Sequence, residues 1–476
     1  MLNLVKNELY KIFHKKSTYI VMIIMTLFIA LISSIYRFMD LDYFYYNYAE
    51  PKEVALDFIK NYNPAVDHVE DYVYYLTIND IYEHAQNFDE SSWQYKKMFS
   101  DYQGSAYNYY SSIYIEKSEN KTYLDEMNTI LNSLNTANWR YFVESERKDV
   151  AIELEHYKSI DSSTLSIKEK NEYDKQVFTL EEQLRLLDYR LNENISYDEE
   201  YLNEAFDRTY YSVYDVANIK YGNDLDEENT ADALTTYYTN KYILEEKQDI
   251  NNGKTLRALL IEFFEEYFFL ILVFIVMISG AIVSEEFNKG TIKSLLILPY
   301  KRSKILLAKY LTILMMSLLG ILFMLFMQVL IGGILFGFDS LSIPFVTFNI
   351  STMNIEIVNM FKYLILTIVT TLPKLILLGT LAFSLGVIIN STAFAITITL
   401  FGAFGESIIN ALARAYKIKF LNYFVTTNWN FTEFLFGGKS RFDLSLTHSI
   451  IICLIYLVIM LVVSFIVFKK KDIKNI

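Results

Sequence analysis

The chain has 476 residues, 53% of them hydrophobic, and a net charge of −13. That apolar content excludes a disordered chain, the acidic balance argues against a nucleic-acid partner, and a single cysteine, Cys453, excludes a disulfide framework. The charge is unevenly spread: residues 37–262 hold 22 Lys or Arg against 45 Asp or Glu, a net of −23, while the remainder nets +10. The expectation is an acidic, water-facing insert within an otherwise apolar and basic chain.

In chain order, Leu2, Val5, Leu9, Ile12 and Phe13 fall on one helical face, with Lys6, Lys11, Lys15 and Lys16 interspersed. This predicts an interfacial amphipathic helix over residues 1–17, followed by a first transmembrane helix over 18–36. The apolar run has about the 20 residues that a span needs, and no A-x-A-like site follows. A retained anchor is therefore expected rather than a cleaved signal peptide.

Residues 37–262 are numerous enough for a core of their own. Tyr173, Val177, Leu180, Leu184, Leu187 and Leu191 repeat at alternating spacings of four and three, and Val143, Val150, Leu154 and Tyr157 make a shorter seam before them. Two helices packed as an antiparallel hairpin follow, joined by the polar residues 159–163. Ser166 with Glu169 has capping-box spacing for the second helix, and Ser196 with Glu199 repeats the signal for a third. The tyrosine-rich residues 43–114 have weaker periodicity and receive no element. Their rings read either as buried tyrosines with bonded hydroxyls or as a stacking, peptide-binding surface. Asp224, Asp226, Glu227 and Glu228 lack the spacing of a calcium loop and read as solvated surface.

Beyond the insert, apolar runs predict a second transmembrane helix over 263–283 and four more within residues 306–476, at 306–336, 363–389, 393–412 and 450–468. The first 36 residues carry four Lys against one Glu, residues 284–309 carry six Lys or Arg against two Glu, and the tail from Lys469 carries four Lys against one Asp. All three segments are expected in the cytoplasm, which places residues 37–262 outside the cell membrane. Arg414, Lys417, Lys419, Lys439 and Arg441, after the fifth span, are a local exception. The expected fold class is an all-α membrane protein: six transmembrane helices, an N-terminal interfacial helix and a large, mostly helical extracellular domain between helices 1 and 2. Cys453, in the sixth span, reads as a packed apolar residue.

The connector over residues 284–305 is the most informative stretch. It offers Glu285 and Glu286, a helix start at Thr291, an apolar triplet Leu295, Leu296 and Ile297, a stop at Pro299, and a new start at Ser303. An ordinary basic loop between spans is the plain alternative. Glu286, Gly290, Thr291, Leu295, Leu296, Pro299, Arg302 and Lys309, in this order, resemble the first cytoplasmic loop of the transmembrane subunit of ABC-2 type ABC transporters. The basic tail from Phe468 to Ile473 is similar to the family's C-terminus, and the resemblance extends over about half the chain.

The resemblance implies a cytoplasmic coupling helix over residues 290–298 that docks on separate ABC ATPase subunits. It also implies a second permease subunit, identical or not, and export of peptides, lipids, drugs or ions. In such an assembly ATP and Mg belong to the partner ATPase, with no cofactor in this chain. A short helix held by a stiff turn can pass on rigid-body displacement, which a flexible loop cannot. A mechanotransmission permease also inserts a large domain after its first span, but with four spans in all. A membrane-anchored receptor or adhesion scaffold is a further alternative and needs no coupling segment.

Catalytic patterns are not found. Gly253-Lys254-Thr255 and Gly438-Lys439-Ser440 resemble the end of a phosphate-binding loop, but the first glycine would fall at Gln248 and Glu433. His14, His68, His84, His156 and His448 have no metal-ligand spacing, so a non-catalytic permease subunit is expected. Two charges lie inside predicted spans, Lys374 and Glu406. Each is 16 residues from Asn390, about 24 Å along its helix, so the two can meet as an intramembrane charge pair or line a substrate path. Membrane lipid surrounds the spans, and the −23 charge of the insert would concentrate a cationic peptide cargo.

Overall fold

The computed structural model describes residues 1–38, 51–62, 68–118, 120–222, 227–250, 253–262, 264–292, 299–416, 418–438, 442 and 444–471. Two compact units emerge: residues 40–249, and residues 1–39 together with 250–476. Helix α1 (Leu2–Phe13) turns at His14 and Lys15 into α2 (Lys16–Phe38). Thr18 Oγ1 donates to the Ile12 carbonyl at 2.7 Å, beside the Lys15 N–H at 3.2 Å, which ties the start of α2 to the end of α1. Val5 and Ile12 are buried, Leu9 and Phe13 pack half-buried on the membrane core, and Leu2 is exposed.

Among its described residues, the acidic unit has only helices as regular elements, joined by turns. It holds α3 (Pro51–Asn61), α4 (Val69–Ala85), α5 (Trp93–Lys97), α6 (Gln103–Tyr114) and α7 (Lys121–Asn135), with one π-helical turn, Met98–Tyr102, between α5 and α6. Ile81, Met98, Tyr102, Ala106 and Leu134 form their core, and the Tyr102 hydroxyl donates to Asp80 at 2.8 Å. Other tyrosines stack nearer the surface, Tyr62 on Tyr75 at 4.6 Å and Tyr72 edge-on to Tyr114 at 5.1 Å. Tyr102 thus fits the reading of a buried tyrosine with a bonded hydroxyl.

Four longer helices follow: α8 (Trp139–Lys158), α9 (Ile167–Asn192), α10 (Glu200–Lys220) and α11 (Glu227–Glu246). Helices α8 and α9 form an antiparallel hairpin, pinned by Arg140 on the Leu191 carbonyl at 2.9 Å and Lys158 on Glu181 at 2.7 Å. The Ser166–Glu169 capping box is formed in both directions. The third start differs from expectation: α10 begins at Glu200, and the Ser196 hydroxyl accepts from the Asp198 N–H instead. The seam on α9 also differs, because α9 packs on α10 as well as α8. Leu180 and Leu187 are buried as expected, but so are Thr179, Leu186 and Arg190. Arg190 lies over Tyr197 at 4.2 Å and donates to Asn203 at 2.6 Å.

Helix α12 (Leu256–Glu262) belongs to the membrane unit, although the expected insert ran through residue 262. Leu256, Leu259 and Leu260 bury completely, and Gln328 donates to the Leu259 carbonyl at 3.1 Å. Then come α13 (Phe264–Asn288), α14 (Arg302–Phe336), an antiparallel hairpin of β1 (Phe345–Asn349) and β2 (Asn354–Val358), α15 (Met360–Ile389), α16 (Thr392–Ala415) and α17 (Leu446–Lys470). The hairpin is a departure from an all-helical chain; its register sets Phe345 opposite Val358 and Asn349 opposite Asn354. Among the described residues, six helices are long and apolar enough to cross a membrane: α2, α13, α14, α15, α16 and α17.

Small residues let these helices close up. A Cβ on Gly386 of α15 would lie 2.8 Å from the Gly280 carbonyl oxygen of α13, so only glycine permits that approach. Ser284 and Thr392 share a hydrogen bond of 2.6 Å between α13 and α16.

Candidate functional site

Helix α13 continues past the expected span end at 283 to Asn288, which carries Glu285 and Glu286 on its last turn. Gly290, at φ +67°, ends it, and its N–H donates to the Phe287 carbonyl at 3.1 Å. The Thr291 hydroxyl donates to the Glu286 carbonyl at 3.4 Å. Pro299 lies in the bend before α14, which starts at Arg302, behind Lys301 as N-cap, and not at Ser303. Leu295, Leu296 and Ile297 lie outside the described residues, as do Asp224, Asp226, Lys417, Lys439, Arg441, Asp472 and Ile473.

The connector is anchored at both ends. At the first, Lys309 of α14 is completely buried, and its ammonium is within 2.8 Å of Glu8 of α1, 2.8 Å of Glu286 of α13 and 3.0 Å of the Ile282 carbonyl. It donates hydrogen bonds to Glu8 and to the Ile282 carbonyl, and its contact with Glu286 is an ion pair. Lys11 bridges the same two carboxylates, at 2.9 Å to Glu8 and 3.0 Å to Glu286. Lys15 and Lys289 both meet Glu285 Oε2, at 2.9 and 3.0 Å. Burial pushes the Glu8 carboxyl up, but Lys309 and Lys11 outweigh it and hold its pKa below the usual carboxylate value. Burial likewise pushes the Lys11 ammonium down, and Glu8 and Glu286 reverse this to a net rise.

At the other end, Arg302 Nη1 donates to the carbonyls of Lys469 and Lys471, at 3.3 and 3.1 Å. Lys471 turns back to donate to the Val387 carbonyl at 2.7 Å and to Asn390 Oδ1 at 2.6 Å, capping the end of α15. Glu286 at the end of α13 and Arg302 at the start of α14 are thus each held by a different set of partners.

Further along the spans, Lys374 Nζ lies 2.7 Å from Glu406 Oε2, joining α15 to α16, and the Trp429 indole donates to Glu406 Oε1 at 2.8 Å. Asn390, left-handed at φ 59°, makes the turn between these helices. Sequence reasoning found Glu286, Arg302, Lys374 and Glu406 but missed Glu8, Lys11 and Lys471 as their supports. One signal was present: Glu8 is the lone acid among the lysines that open the chain.

A predominantly helical architecture with six apolar helices of spanning length makes this a helical membrane protein. It belongs to the family described as "Protein of unknown function (DUF2705)", whose model matches residues 230–474. The chain is similar to the uncharacterized protein YhcI of Bacillus subtilis (strain 168), 29% identical over 202 residues, which are 42% of this chain and 64% of that protein. The match thus spans just under two thirds of YhcI. It is also similar to the uncharacterized membrane protein YdbK of the same organism, 26% identical over 200 residues, which are 42% of this chain and 76% of that one. No solved structure matches.

Proposed function

We propose that this chain is the membrane-embedded permease subunit of an ATP-driven exporter of the ABC-2 type, engaging a separate ATPase through the connector between α13 and α14. The observation that carries the reading is the buried Lys309 knot. It fastens α1, α13 and α14 to one another where the connector leaves the membrane helices. A push on the connector would then move three helices together rather than being absorbed in a loop. In this reading ATP and Mg reside on the ATPase, and a second permease subunit completes the path. The Lys374–Glu406 pair supplies a polar element within the spans, where ionised groups often mark a route for cargo.

The test is capture of the tagged full-length chain from its native membranes, with co-purifying proteins identified by mass spectrometry. An ABC ATPase is expected with the wild-type chain. It should be lost from the double variant Leu295→Asp/Leu296→Asp, which puts charge into an apolar docking face. Capture without any ATPase, or undiminished capture by the variant, would defeat the reading and favour a receptor or adhesion scaffold.

A further inference from the structure

A cleft of about 620 Å³ opens between α1 and α2 on one side and α13 and α16 on the other. One end is ionic, with Lys11, Lys15, Glu285 and Lys289 around it; the other is apolar, with Val21, Phe274, Met277, Ile278 and Ile396. Phe274 and Glu285 are 11 residues apart on α13, about 16 Å along the helix axis. That is about half of a 30 Å hydrocarbon core, the depth of one leaflet. A water-soluble anion would leave the apolar part unfilled, and a purely apolar molecule would leave the ionic end unanswered.

The charges at the ionic end do not cancel. Glu8 and Glu286 are matched by Lys309 and Lys11, while the single carboxylate of Glu285 is shared by Lys15 and Lys289. One positive charge is left over, and it sits at the rim, since the Lys15 and Lys289 side chains are 39% and 67% exposed. We propose that this cleft binds one phospholipid with a net negative headgroup, its phosphate between Lys15 and Lys289 and an acyl chain along Val21, Met277 and Ile278. The volume lies in the range of small-molecule sites, and a phosphodiester of charge −1 completes the balance. The inference stands apart from the exporter reading, because no ATPase enters its test.

The full-length chain is reconstituted in nanodiscs of equal phosphatidylglycerol and phosphatidylcholine, and retained lipids are counted by native mass spectrometry after limited delipidation. One phosphatidylglycerol per chain is expected, preferred over phosphatidylcholine by about tenfold or more. Lys15→Gln/Lys289→Gln should abolish the preference, and Ala281→Phe, which fills the apolar part, should abolish retention of both lipids. As a readout that leaves the charges untouched, Val21→Trp fluorescence should be quenched by brominated phosphatidylglycerol and not by brominated phosphatidylcholine. Equal retention of the two lipids, or retention unchanged in both cleft variants, would overturn the proposal. So would a dimer without retained lipid that Ala281→Phe dissociates, because the surface would then belong to a second copy of the chain.

Discussion

At the scale of the residue, the Lys309 cluster and the Lys374–Glu406 pair differ in how much water they keep. The contrast lies in the cations: Lys309 is fully buried, against carboxylates 8% (Glu8) and 13% (Glu286) exposed, whereas Lys374 keeps 22% of its side-chain exposure and Glu406 16%. Removing one partner of a dry pair strands the other charge at about 3 to 5 kcal/mol, and residual water lessens that cost. Lys309→Met should therefore lower the unfolding midpoint of the purified chain more than Lys374→Met does. Adding Glu8→Gln to Lys309→Met, which leaves Lys11 paired with Glu286, should recover part of the loss; equal effects of the two single variants, or no recovery, would show that the knot is wet. The depressed Glu8 pKa means that its contribution is complete above 4.5 and is lost as pH falls through the lower, folded value. The raised Lys11 pKa means that its contribution is complete below 10.5 and is lost only as pH rises past the higher, folded value.

At the scale of the element, close contact between α13 and α15 depends on Gly386 lying against the Gly280 carbonyl. Gly386→Ala must push the two backbones apart, at a cost of about 1 to 3 kcal/mol. Gly402→Ala on α16 meets nothing within 4 Å and gains helix propensity, so its midpoint should hold or rise. A Gly386→Ala midpoint equal to that of Gly402→Ala would mean that the helices give way freely. The spans themselves were legible because apolar runs of that length have few other uses, and the α8–α9 hairpin because its seam and capping box agree. The β-hairpin was not, since Phe345 to Val358 has too short an alternation to stand out between two spans. Lys374 and Glu406 could be related from equal distances to Asn390. Glu8 could not be related to Lys309, because no helical period reaches across an inserted unit.

At the scale of the whole molecule, the basic ends and connector predict one face for α1, the connector and the tail, and the opposite face for residues 40–249. Cys453 is buried in α17, so an added cysteine should report its own position. On intact cells an impermeant maleimide should label Ser163→Cys at once and Lys301→Cys only after permeabilisation. The reverse pattern would invert the topology, and labelling of both at once would break the assignment of spans between them.

The knot also orders events in time. Glu8 and Lys309 are 301 residues apart, so a ribosome makes the entire acidic unit and the α13 span before the ammonium that Glu8 needs exists. Until then Glu8 has only Lys11 of its own helix, 39% exposed, as a partner, and sinking its carboxylate among apolar side chains without the second ammonium is unfavourable. The nascent α1 must linger at the bilayer surface through most of the intervening synthesis, and the emergence of α14 ends that wait. A helix translated early is thereby fixed late, and any chaperone that shields α1 has that interval in which to act.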